Sequence, residues 1–130
     1  MNVLGQLNPN DRRAVELVNA FRKENNLPPL QYSKMLSDIA MPHTLDMLNQ
    51  KVPLGHDGFK ERSQKVPSSI TTGENVAYEY GDSDPMRSLF EGWKNSPGHR
   101  KNMHGNFNYI GVAFANRGDL WYGTQFFALM

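Results

Sequence analysis

Four histidines and no cysteine set the chemistry open to this 130-residue chain. Imidazole is the side chain whose ordinary pKa lies between pH 5 and 8, and it serves both as proton carrier and as metal ligand. His56 and His99 each follow a glycine, in GHDG and PGHR, and Glu74 follows one in GEN. Glycine lets a backbone turn sharply and lets other groups approach closely. Three ionisable residues on turns at the ends of elements could therefore converge on one cleft. Two neutral imidazoles and a carboxylate suit a divalent transition metal such as zinc, with water at an open position. The sequence steps are 18 residues (56 to 74) and 25 residues (74 to 99), so only the fold can bring the three together.

Each candidate has a plainer reading. Glu74 could hold the turn before a strand, since a buried carboxylate is tolerated only when paired. His99 sits between Pro97-Gly98 and two cations, where it is either turn punctuation or a site residue. His43 shares an apolar face with Leu36, Ala40 and Met47 and reads as a packed, hydrogen-bonded core histidine. His104, in NMHGN, reads as exposed. Glu91 falls off the apolar stripe of its helix and reads as a solvated glutamate. Ser96, three residues before His99, reads as turn chemistry. No G-x-S-x-G elbow and no H-E-x-x-H helix occurs. The RGD at 117–119 matches an adhesion tripeptide, but Gly and Asp are also what a tight hairpin requires.

The elements that must position these residues are legible from caps and periodicity. Asn8 caps a first helix with Pro9 at its first position, and Ala14, Val15, Leu17, Val18 and Phe21 form its stripe. Ser33 opens a second helix, in which Pro42 should cause a kink or a split. Residues 51–73 look irregular, with a short helix around Arg62. GENVAYEY (73–80) reads as a strand. Asp84-Pro85 opens another helix with Met86, Leu89, Phe90 and Trp93 on one face, and Pro97-Gly98 should end it. YIGVAFA (109–115) and LWYGTQFFA (120–128) read as an antiparallel hairpin. Helices in front and a terminal hairpin give an α+β pattern, with helices layered on a small antiparallel sheet. One domain, 1–130, suits the length and the lack of any linker or repeat.

The totals exclude several function classes. Formal net charge is +1, from 14 cations and 13 anions, with no basic block, so nucleic acid is not indicated. No apolar run approaches the roughly 18 residues of a membrane span. The absence of cysteine removes disulfides, thiol catalysis and thiolate zinc sites. MNVLGQLNPNDRR lacks the charged start and apolar stretch of a signal peptide.

Four blocks in order, GHDGFKER (55–62), GENVA (73–77), GWKNSPGHRKNM (92–103) and YIGVAFA with LWYGTQFF, resemble the CAP (SCP-like extracellular) domain. This is the family of cysteine-rich secretory, antigen 5 and pathogenesis-related 1 proteins. The lack of cysteine is similar to its short bacterial-type branch. The resemblance implies a three-layer α-β-α sandwich with a central antiparallel sheet, and an extracytoplasmic or secreted location. It also implies a cleft with two histidines and two acidic residues. His56, Glu74 and His99 match three of the four. The position of the second glutamate, just after Trp93, holds Lys94, Asn95 and Ser96, and Glu91 is the nearby acid on the other side.

Three functions follow as expectations. The first is a binding module, taking a divalent metal such as zinc at His56 and His99, which the fold would not require. It would also take a lipid or sterol in an apolar groove that Tyr78, Tyr80, Phe107, Tyr109, Trp121 and Tyr122 could line. The second is a hydrolase, protease-like, in which His56 or His99 with Glu74 activates water. The third is a non-catalytic envelope or interaction module that presents loops to a protein partner.

Overall fold

In the computed structural model, which describes residues 7–69 and 71–130, nine elements follow in order. They are α1 (Pro9–Glu24), β1 (Gln31–Tyr32), α2 (Lys34–Leu48), α3 (Phe59–Gln64), β2 (Thr71–Tyr80), α4 (Pro85–Lys94), α5 (Pro97–Met103), β3 (Tyr109–Arg117) and β4 (Leu120–Leu129). The caps read from sequence are made. Asn8 Oδ1 accepts from the Asp11 amide at 2.8 Å, Ser33 Oγ from Leu36 at 3.2 Å and Asp84 Oδ1 from Arg87 at 3.4 Å.

Two expectations about proline are narrowed: of the kink or split at Pro42 the split does not occur, and Pro97-Gly98 opens a helix. Pro42 does not split α2, which continues through it. Pro42 is exposed, so the helical bond it removes lies on the side where water can replace it. Pro97-Gly98 does not simply end a helix. α4 stops at Lys94, and Pro97 occupies the first turn of a new helix behind Ser96. His99 therefore rides on α5, not on a turn. That helix uses the same polar-residue-then-proline opening as α1 and α4.

The sheet order is β1-β3-β4-β2. β2, β4 and β3 are antiparallel neighbours, while the two residues of β1 lie parallel to β3. The hairpin closes through Gly118-Asp119, with Arg117 opposite Leu120, so the RGD forms the turn. Arg117 donates to Asn49 Oδ1 at the end of α2.

Strand residues alternate between faces, and the two faces carry two cores. Ile110, Val112 and Phe127 pack with α1, α4 and Met103 of α5. Ala113, Phe126 and Ala128 pack with Leu36 and Ala40 of α2, with Phe59 of α3 and with Val66 just after that helix. This is an α-β-α sandwich. α2 sits directly on β3 at Gly111, where a Cβ would lie 2.3 Å from the Ser37 nitrogen. β2 is an edge strand, and α3 and α5 reach it from opposite layers.

Candidate functional site

Alternation along β2 builds the site. Thr72 and Glu74 point to the α3 layer, while Asn75 points to the α5 layer. On the α3 side Ser63 and Thr72 share a hydroxyl hydrogen bond of 2.8 Å. Next to it, Arg62 donates to both oxygens of Glu74, from Nε at 2.7 Å and from Nη2 at 2.8 Å. Both residues are buried, at 8% and 5% exposure. Arg62 Nη1 donates to the Asp57 carbonyl at 2.7 Å. Gly58 allows this closeness: its φ is +82°, and a Cβ there would lie 3.0 Å from Arg62 Nη1.

His56 completes the cluster. Its Nδ1 lies 2.9 Å from Glu74 Oε1. A carboxylate only accepts, so Nδ1 carries the hydrogen and the lone pair of the neutral ring is on Nε2. The His56 side chain is half exposed while that of Glu74 is 1% exposed. The carboxylate is thus buried behind the ring, and its oxygens are committed to Arg62 and His56. The loop before His56 is anchored by His43, which is buried on α2 and donates from Nε2 to the Gly55 carbonyl at 2.6 Å.

On the α5 side, asparagines take the place of charges. Asn102 Nδ2 donates to the Glu74 carbonyl at 3.1 Å and to Asn75 Oδ1 at 2.8 Å. Asn75 Nδ2 donates to the His99 carbonyl at 3.0 Å and to Gln125 Oε1 at 3.0 Å. The amides bind α5 to the outer strand and satisfy a carbonyl at its open edge. His99 Nδ1 meets Ser96 Oγ at 2.8 Å, so Ser96 orients the ring instead of capping an amide. His99 has a pKa below the ordinary imidazole value. Burial is the larger cause, and the like charge of His56 is the second.

A cavity of about 380 Å³ opens over this edge, lined by His56, Phe59, Thr72, Gly73, Glu74 and Asn102. His99 is not in its lining but lies one turn before Asn102 on α5, close enough to feel the charge of His56. Glu91 is also outside it, 3.3 Å from Arg87 on α4. His104 is exposed and packs edge-on to Phe21, with ring centroids 6.4 Å apart. The six aromatics do not form one groove. Phe107 and Trp121 pack against the first core and Tyr109 against the second. Tyr78 and Tyr122 pair on the surface at 5.7 Å, and Tyr80 is exposed.

The geometry bears on metal chemistry. Among the described residues no three His, Cys, Asp or Glu groups converge as a cage. His56 and His99 each have Nδ1 engaged by a side-chain oxygen, which leaves Nε2 of each ring over. Such bracing of the second ring nitrogen accompanies most metal-ligating histidines. Two such rings would suit an open, exchangeable site rather than a closed structural one. The residues that sequence reasoning missed are Arg62, Asn75 and Asn102, which sit inside the very motifs quoted for the resemblance.

Residues 15–130 match the family model described as the cysteine-rich secretory protein family, CAP. The chain belongs to this family. The CAP chain is 34% identical over 117 residues to YkwD of Bacillus subtilis (strain 168), a match covering 85% of this chain and 44% of that protein. An extracellular protein with an SCP domain from Bacillus anthracis superposes with a TM-score of 0.80 at 26% identity, over 95% of this chain and 44% of that one. An outer surface protein of Borrelia burgdorferi shares the fold, with a TM-score of 0.78 at 16% identity and 92% of each chain covered. This CAP chain spans less than half the length of the Bacillus proteins it matches. No helix among its described residues is long and apolar enough to cross a membrane.

Proposed function

We propose that this CAP domain is an extracytoplasmic binding module whose edge-strand cleft takes a divalent metal through His56 and His99. The location rests on the relative described as extracellular. The observation that carries the metal reading is the shared arrangement of the two rings. Glu74 braces Nδ1 of His56 and Ser96 braces Nδ1 of His99, which leaves Nε2 of each for a ligand. A bound cation would supply Lewis acidity and open coordination positions. The chain itself supplies orientation: the Arg62–Glu74 pair fixes the ring of His56, and the Asn75–Asn102 amides fix the helix that carries His99.

The hydrolase reading has one observation in its favour. The His56–Glu74 pair is a carboxylate-oriented base with its Nε2 side turned to solvent. The reading lacks a second carboxylate at the cavity, because Glu91 pairs with Arg87 instead. A lipid or sterol would need other apolar surface than the six aromatics together.

Calorimetric titration with zinc tests the metal reading on the wild type and on His56→Ala and His99→Ala. Binding should be present in the wild type, lost in each variant, and weakened as pH falls through the imidazole range near 6 to 7. Binding that survives either substitution overturns it.

A further inference from the structure

Helix α5 has a second face. His99, Asn102 and Met103 point to the cleft and the core, while Pro97, Arg100, Lys101 and His104 lie on the opposite side of the helix at steps of three and four. That outer side borders a groove of about 790 Å³, roughly twice the volume of the histidine cavity. The far wall is the end of α1, with Phe21 and Glu24, and Lys94 comes from the end of α4.

The charge here is one-sided. Lys94, Arg100 and Lys101 line the groove against one acid, Glu24. The salt bridges that lysine and arginine make among the described residues join Arg12 to Glu16, Arg13 to Asp84, Lys34 to Asp38, Arg62 to Glu74 and Arg87 to Glu91. None of them neutralises the three groove cations, and residues 1–6 and 70 contain no acid that could. In a chain of formal net charge +1, this is a local concentration of positive charge. Beneath it lies another cation. Arg22 is 1% exposed, with no carboxylate partner among the described residues. Its Nε donates to the Pro28 carbonyl, and its Nη1 donates to the carbonyls of Met103 and Gly105 at 2.9 Å each. Gly105 is itself part of the groove wall. Favourable charge at helix ends accounts for Lys94 in the last turn of α4 and for basic residues late in α5. It does not account for three cations of two helices facing one hollow above a fourth, buried one.

We propose that this groove is a second site, one that binds phosphate groups of a polyanionic ligand. A guanidinium and two ammonium groups on separate helices suit several phosphate oxygens at once, the guanidinium in a two-pronged contact. A ligand carrying a single charge would engage only part of the set. The phosphates could belong to a soluble polyanion or to lipid headgroups at a surface.

Two probes distinguish those sources: inorganic tripolyphosphate by calorimetry, and vesicles of phosphatidylglycerol against phosphatidylcholine by co-sedimentation. Each is measured on the wild type, on Lys94→Gln/Arg100→Gln/Lys101→Gln, and on Lys51→Gln/Lys60→Gln/Lys65→Gln. The second triple removes the same charge from exposed positions outside the groove. Loss of three charge-assisted contacts should weaken binding about tenfold or more in the groove triple, and the remote triple should stay within about twofold. Tripolyphosphate binding with that pattern assigns the site to phosphate itself. Binding to phosphatidylglycerol vesicles alone, with the same pattern, assigns it to headgroups. Equal weakening in both triples, or no binding to either probe, overturns the proposal. Unchanged thermal melting of the groove triple shows that its fold is intact. Zinc binding by that triple keeps this test separate from the metal reading.

Discussion

The two halves of the cleft solve the same problem with different chemistry. On the α3 side, His56 is held by charge: a buried Arg62–Glu74 pair stands behind a half-exposed ring. On the α5 side, His99 is held by neutral groups, a serine hydroxyl and the amides of Asn75 and Asn102. The edge strand separates them, so consecutive residues Glu74 and Asn75 serve opposite layers. The contrast suggests a division of labour. A charged brace fixes the tautomer of an exposed ring, whereas neutral bracing leaves the part-buried ring free of a permanent counter-charge.

The largest effect should come from breaking the charged half. Arg62→Ala leaves Glu74 buried without its partner, and losing one member of a buried pair costs about 3–5 kcal/mol. Denaturant unfolding would show it, and a loss under about 1 kcal/mol would mean that water replaces the guanidinium. The neutral half should be less costly to disturb. Asn75→Ala leaves Gln125 Oε1 without its partner and takes one bond each from the Asn102 amide and the His99 carbonyl, at roughly 2 kcal/mol, following the cost of unsatisfied buried groups. If it proves as damaging as Arg62→Ala, the contrast between the halves fails.

The smallest effect sharpens the link between them. His99 titrates below its ordinary value of 6.5, so in the window beneath 6.5 the unfolded chain takes up more protons than the folded one. Its contribution to stability is complete above that window and is lost as pH falls through the folded pKa. His56→Asn removes the lesser of the two causes. The His99 pKa should then rise toward 6.5 yet stay below it, because burial remains. Ring-proton NMR titration reads this directly, and an unmoved pKa would place the two imidazoles too far apart to share a ligand.

Much of this arrangement was legible beforehand, and the parts that were not share a cause. Local signals with one strong partner, such as Asn8-Pro9, the stripe of α4 and the aromatic hairpin, read correctly because neighbouring residues carry the information. Ser96-Pro97 uses the same opening as α1 and α4, but the glycine after it suits a turn equally well, and α5 has only seven residues in which to show a period. β1 is two residues long and exists through pairing with β3, which no local pattern announces. His56, Glu74 and His99 stood out as chemistry-bearing types beside glycines. Arg62, Asn75 and Asn102 did not, because an arginine or asparagine becomes informative only when the fold reveals which buried group it satisfies.

The most direct test of the account is nitrogen-resolved NMR of the histidine rings during a zinc titration at neutral pH. Without metal, His56 should be the Nδ1-protonated tautomer. With zinc, Nε2 of His56 and Nε2 of His99 should shift together and saturate at one equivalent, while the rings of His43 and His104 stay put. A shift at one of the two rings alone, separate saturation at two equivalents, or a response at Nδ1 would contradict a shared Nε2 site.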